Sequence, residues 1–253
     1  MGKKTNVLNL RSQVSPQQWQ NQWGQLHNAH FFRRNQEILN FLTRLFKDFY
    51  LNRVFIRQTH KGFFIKIELV GVYPKTPSLN LKNLASCIQV YTQTPHMDIS
   101  ISVVYLPKTL IGLEERRTFR SFKRDPYFWP SLLLIKGAFG GHVSAYTLAC
   151  FLNLYLKRNR RRRRFVDYIK TLLDYQVENK KNWQIKGMRI EVKGRLAPKL
   201  RTARHIMSCG AISLQTLKSH LDYGQVESYT ILGSIGIKVW ICSNVVATET
   251  NKI

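Results

Sequence analysis

Apolar residues recur along the first part of the chain in two rhythms. Between 31 and 50, Ile38, Leu42, Leu45, Phe46 and Phe49 are spaced for one helical face, and Arg33, Arg34, Arg44 and Lys47 are its polar complement. The segments VFIRQ (54–58) and FFIKIELVGVY (63–73) are rich in β-branched and aromatic residues. They flank Lys61-Gly62 and read as two strands joined by a turn. Pro74 and Pro77 break the pattern. Leu81 to Ile88 reads as a short helix, and Ile99 to Leu106 alternates in part like a further strand. Residues 1–30 are polar and rich in Gln and Asn. The spacing of Trp19 and Trp23 puts both indoles on one helical face, which favours a small anchor docking the arm on the body over base stacking.

The middle of the chain reads differently. Residues 107–131 look like a basic loop, in which Arg116, Arg117, Arg120, Lys123 and Arg124 interleave with Phe119, Phe122, Tyr127, Phe128 and Trp129. Two readings stand equally. The rings stack on unpaired bases while the cations meet phosphates, or the rings pack into the core and only the cations face out. Residues 143–178 read as helix, broken near Asn159, with one apolar face at Leu148, Phe151, Leu152, Tyr155 and Leu156 and another at Phe165, Ile169, Leu172 and Leu173. Between those faces, seven of the eight residues 157–164 are cations. Like charges on neighbouring turns destabilise a free helix, so the run needs phosphates nearby to be stably ordered; a nuclear-localisation tract is the alternative.

From 184 on the chain is β-rich. MRIEVKGRL (188–196) alternates cleanly, Ala203 to Ser208 reads as a short helix, and LQTLKSHLDYG (214–224) and SYTILGSIGIKVWIC (228–242) come after it. Gly233 and Gly236 within the last run point to a bulge or a close backbone approach.

Charge narrows the function classes. Forty Lys and Arg against 14 Asp and Glu leave a formal net charge of +26 on 253 residues. Solubility needs a net charge of only about 2–8 for a small domain, so the excess points to a polyanion, nucleic acid first and an anionic membrane surface second. The 44% hydrophobic content supports a sizeable core in one large or two modest domains. Cys87, Cys150, Cys209 and Cys242 include no CxxC pair and are too sparse for a secreted disulfide framework. They read as buried or semi-buried free thiols in a reducing compartment. No segment approaches the roughly 20 apolar residues of a membrane span, and the start, MGKKTNVLNLRSQ, lacks the apolar stretch of a secretory signal.

No catalytic signature is present: no GxGxxG, P-loop, HExxH or GxSxG, and no paired-carboxylate site. Glu114-Glu115 read as neutralising the adjacent Arg116-Arg117. His27 and His30 lack further ligands and read as surface histidines. A nuclease or maturase fragment would need clustered carboxylates for metal ions, and a membrane-associated protein a continuous apolar helix face beside a basic one.

Three ordered blocks carry a resemblance. They are Gly187-Met188-Arg189-Ile190-Glu191-Val192-Lys193-Gly194-Arg195-Leu196, then Gly210 to Leu217 with Leu221-Asp222-Tyr223-Gly224, and Gly233 to Ile241. Together they resemble the C-terminal part of the ribosomal protein S-three family, the small-subunit protein numbered three. Two further matches are the opening Met1 to Asn6, with Leu10-Arg11 and Trp19, and the arginine-rich helix ahead of the Gly-initiated strand. The family's N-terminal type II KH domain carries a GxxG loop between two helices. Here the only GxxG after Gly71 and before the 143–178 helix is Gly137-Ala138-Phe139-Gly140, so residues 74–140 are divergent and no GxxG function is carried over.

The resemblance implies a structural, non-enzymatic component of the small-subunit head that binds ribosomal RNA. It lies beside the path by which messenger RNA enters, with head proteins as neighbours and no cofactor. The divergence and the family-like start point to an organelle-encoded, mitochondrial member, with a plastid as alternative; a non-ribosomal RNA-binding or RNA-processing factor is the alternative function.

The expected fold is α/β (α+β). A basic arm, a helix and a degenerate KH-like domain occupy 1–142. A C-terminal domain, 143–253, opens on a helix and continues as a mixed sheet with short helices on one face. The expected RNA contacts are, first, Lys157, Arg158, Arg160, Arg161, Arg162, Arg163 and Arg164. Next come Arg116, Arg117, Arg120, Lys123 and Arg124, then Lys193, Arg195, Lys199, Arg201 and Arg204, and finally Lys3, Lys4 and Arg11 in the arm.

Overall fold

A computed structural model describes residues 21–22, 29–46, 50–59, 62–71, 81–92, 97–107, 110–178, 183–198, 201–217 and 219–243. Lys3, Lys4, Arg11, Trp19, Trp23, His27, Phe49 and Lys199 lie outside them. The chain divides into two compact units between Leu106 and Pro107, not between 142 and 143. The reason is that residues 111–139 pack against the helix at 162–178: Phe119 meets the rings of Tyr168 and Tyr175, and Gln176 Nε2 donates to Glu115 Oε1 over 3.2 Å.

The N-terminal unit contains β1 (Asn21–Gln22), α1 (Ala29–Leu45), β2 (Tyr50–Thr59), β3 (Gly62–Gly71), α2 (Leu81–Thr92) and β4 (Met97–Tyr105). Its sheet runs β1-β2-β3-β4, with β2 and β3 antiparallel and the outer pairs parallel. Ile38, Leu42 and Phe46 at α1, with Leu84 and Ile88 of α2, bury Val54, Ile56, Ile65, Ile67 and Leu69. A bulge between Leu51 and Arg53 sets the register. The extra residue lets Leu51 and Val54 both face the helices, although three positions along a regular strand would point them to opposite sides. One expectation changes: Leu45 is exposed. Asn21–Gln22 run as strand beside β2; the reading of Trp19 and Trp23 lies outside the described residues.

The second unit holds α3 (Leu113–Thr118), a short 3-10 turn (Arg120–Phe122), α4 (Phe128–Phe139), α5 (Ala145–Arg158) and α6 (Arg162–Glu178). Its strands are β5 (Ile185–Gly194), β6 (Ala203–Gly210), β7 (Leu221–Thr230) and β8 (Gly233–Ser243). Within the expected basic loop at 107–131, residues 113–118, 120–122 and 128–131 are therefore helical, and 123–127 form turns. Phe119, Tyr127 and Phe128 are buried and hold it against α6. Glu115 does not neutralise the arginines beside it. It turns inward, accepts from the Gly112 N–H at 3.0 Å to start α3, and pairs with Lys136.

The C-terminal sheet is antiparallel throughout, in the order β6-β5-β8-β7, rather than mixed. Residues 203–208 form strand, not helix, because β5 offers them a complete ladder and Met207 and Cys209 alternate into the core. No short helix comes after β5 among the described residues. Instead α5 lies against β7 and β8, and α6 against β6. The contact between α5 and β7 is close: a Cβ on Gly224 would sit 2.5 Å from Tyr146 Cα, so only glycine fits there. The run 228–242 straddles a hairpin at Ile231-Leu232. Gly233, with φ of 116°, closes that turn and forms no bulge.

Candidate nucleic-acid interface

The break between α5 and α6 decides how the arginine run is presented. Asn159 leaves the helix in extended conformation (φ −85°, ψ 131°). The end of α5 then has carbonyls with no helical donor. Arg162 supplies one: its side chain is buried, and its Nε donates to the Leu156 oxygen over 2.8 Å. The expected set of contacts thus loses Arg162, which is turned into the protein. Lys157, Arg158, Arg160, Arg161, Arg163 and Arg164 are exposed. Arg163 approaches Asp167 at 4.0 Å, one turn on, a surface pair that leaves the guanidinium accessible.

Arg164 joins this run to the second expected group. Its guanidinium donates to the Ser121 oxygen at 3.3 Å, lies 3.6 Å from Asp125 Oδ2 and sits over the Phe122 ring at 5.3 Å. Asp125 is held in turn by the Tyr127 hydroxyl at 2.9 Å. Burial, then that bond, pushes the Tyr127 phenol well above its ordinary range, and burial does the same for Tyr168. Both tyrosines are neutral structural groups. The aromatic residues of 119–129 therefore obey the packing reading: Phe122 lies 4.7 Å from Tyr168 and Tyr127 4.8 Å from Phe165 between ring centroids. Outside them Arg117, Arg120, Lys123 and Arg124 are exposed, while Arg116 is half-buried over Trp129. Sequence reasoning misses Asp125 as a site residue; its one signal is its position as the lone acid within RTFRSFKRDPY. Nothing local marks Arg162 apart from its neighbours.

The third group lies on the sheet, away from the helix break in sequence. Lys193 and Arg204 are cross-strand partners, and both are exposed, as are Arg195 and Arg201. Arg204 is committed to a two-pronged pair with Glu191, at 2.6 and 2.7 Å, and that bond holds the Glu191 carboxyl below the usual range. Arg195 donates to the Pro198 oxygen. The four cysteines are free, but Cys87 is exposed rather than buried. Among the described residues no His, Cys, Asp and Glu cluster could hold a metal ion, and no helix is long and apolar enough to cross a membrane.

Similarity to known proteins is distributed along the chain in the same way. Residues 160–241, from the arginine run to the last strand, match the family model for ribosomal protein S3, C-terminal domain. Small ribosomal subunit protein uS3c of Angiopteris evecta is 24% identical over 242 residues, covering 95% of this chain and 98% of that one. The uS3c of Cyanidium caldarium is 32% identical over 99 residues, 39% of this chain and 44% of that one. The uS3 of Corynebacterium aurimucosum is 47% identical over 60 residues, 23% of each chain. The long alignment is weaker in identity than the short ones. With the three sequence blocks lying on β5, on β6–β7 and on β8, residues 160–241 are similar to the C-terminal domain of ribosomal protein S3.

Proposed function

We propose that this chain is a structural constituent of the small subunit of an organellar ribosome and binds ribosomal RNA there. One observation carries the reading. Five exposed arginines, Arg158, Arg160, Arg161, Arg163 and Arg164, crowd one helix break, while a sixth, Arg162, is sacrificed to hold that break in shape. Guanidinium groups remain charged and fork towards phosphate oxygens. Such a cluster repels itself until a polyanion neutralises it. The exposed cations of 117–124, tied to the run through Arg164, extend the same surface.

The finer reading is that this surface lies in the subunit head beside incoming messenger RNA. The N-terminal unit, a sheet with two helices on one face, is a degenerate KH-like domain, and the ribosome is mitochondrial. The mixed topology of β1 to β4 and the divergence of 74–140 support those points. The test is sedimentation of the native protein from fractionated organelles. It is expected to travel with the small subunit of mitochondria at low salt and to stay bound until salt is high. Recovery as free protein at the top of the gradient overturns the ribosomal reading, and recovery only from plastids overturns the mitochondrial one.

A further inference from the structure

The sheet of the N-terminal unit has a second face, which the helices do not cover. Val54, Ile56, Ile65, Ile67 and Leu69 point to α1 and α2, while Val70, at the end of β3, is buried on the opposite side. On the other side β2 sets out Arg53, Phe55 and Arg57 in alternation, and β3 sets out Phe64, Lys66 and Glu68. Arg57 is the cross-strand partner of Phe64, and Lys66 that of Phe55, with the Lys66 ammonium 5.9 Å from the Phe55 ring centre. Phe55 and Phe64 are therefore diagonal neighbours, about 7–8 Å apart. Phe64 is 42% exposed and Phe55 half-buried. Two phenylalanines on the open side of a sheet add nothing to its core.

We propose that this face is a second RNA-binding surface, on which unpaired bases stack on Phe64 and Phe55 while Arg57 meets the phosphates. Its occupant is a single-stranded stretch of RNA and not a protein. Protein interfaces are depleted of charge at their centres, whereas here each ring has a cation directly across from it. The two acids on the face do not reverse this. Glu68 is paired with Lys66 at 3.1 Å, and Asp98 stands on β4, on the far side of Phe64 from Arg57. Open sheet faces with exposed rings hold bases in this way because every base has a π-face. Regular alternation after the bulge at Leu51 sets Arg53, Phe55 and Arg57 on this face together. The inference rests on the RNA-binding reading of the chain but concerns residues remote in sequence from the arginine run.

The experiment measures binding of the full chain to an unstructured uridine-rich oligoribonucleotide of about ten nucleotides, within the range of single-strand sites. Phe64→Leu keeps the apolar bulk and is expected to weaken binding about tenfold without changing the salt slope, while Phe64→Tyr stays within about twofold of wild type. Arg57→Glu leaves the rings in place and is expected to weaken binding and to lower the salt slope by about 0.7. Equal binding by wild type, Phe64→Leu and Arg57→Glu overturns the inference and leaves the arginine-run reading standing. So does poor incorporation of Phe64→Leu into subunits with its oligonucleotide binding intact, which would identify a protein neighbour instead. Failure of the wild type itself to bind removes both readings.

Discussion

Arg162 Nε lies 2.8 Å from the carbonyl oxygen of Leu156, six residues earlier, and closes the end of α5. Within a run of five consecutive arginines this makes one of them structural and leaves its neighbours at the surface. The two kinds of arginine must respond to mutation in opposite ways.

Arg162→Ala leaves a buried carbonyl without its donor, which costs about 1–3 kcal/mol. Urea denaturation is expected to show that loss. In contrast, replacing Arg160, Arg161 and Arg163 with Ala changes stability by only about 0.5 kcal/mol or less per residue. It weakens RNA binding and lowers the salt slope by about 0.7–0.9 for each lost phosphate contact. A triple variant with unchanged affinity and slope removes the helix break from the interface.

The N-terminus of α5 depends on a residue far away in sequence. Asp222 Oδ2, on β7, accepts from the Ala145 N–H at 2.8 Å, and the Ser144 oxygen accepts from Thr147. Asp222→Ala is expected to lower stability by about 0.5–2 kcal/mol, the usual range for a lost helix cap. Gly224→Ala forces a Cβ to within 2.5 Å of Tyr146 Cα and costs about 1–3 kcal/mol through overpacking. Thermal melts of both variants check this; a wild-type melt for Gly224→Ala would show that α5 does not hold this position against β7.

Acid acts on the Glu191–Arg204 pair. Glu191 has its carboxyl held low, first by the hydrogen bond from Arg204, so the pair stabilises the fold above the ordinary Glu range and loses that contribution as the pH falls through the lowered value. The stability difference between wild type and Glu191→Gln is expected at neutral pH and should shrink as the pH falls from about 5 to 3. A difference that stays constant over that interval would mean the carboxylate charge contributes nothing.

Thiol chemistry separates the cysteines. Cys87 is exposed, Cys242 is buried, and burial pushes the Cys209 thiol up to about 11. A maleimide or disulfide reagent at about pH 8 is expected to modify Cys87 first and to spare Cys209 and Cys242 until the protein unfolds, since the thiolate is the reactive form. Mass spectrometry of the labelled peptides reads the order directly.

Much of the fold is legible along the chain. The helix at 29–45, the strands around Lys61-Gly62, the break near Asn159 and the alternation of 188–196 all show in hydrophobic period, because each element buries one face. The charge of +26 and the blocks from Gly187 to Ile241 point to RNA and to the family. The misread segments are those whose conformation is set by distant partners. RTFRSFKRDPY has no clean period, and it adopts a helix end, a 3-10 turn and further turns because α6 takes up its rings. ARHIMSCG is indifferent locally, and it becomes strand because β5 lies beside it.

By itself, then, the sequence determined the number and sign of the charges, most of the elements and the kind of partner, all of which derive from composition and local period. Only the tertiary structure decided which arginine turns inward, that Arg164 ties 157–164 to 119–125, and that Glu115 is a core residue rather than a counter-charge. Those outcomes depend on where buried carbonyls, rings and amides from remote segments come to lie, and an unfolded string of residue types does not contain that information.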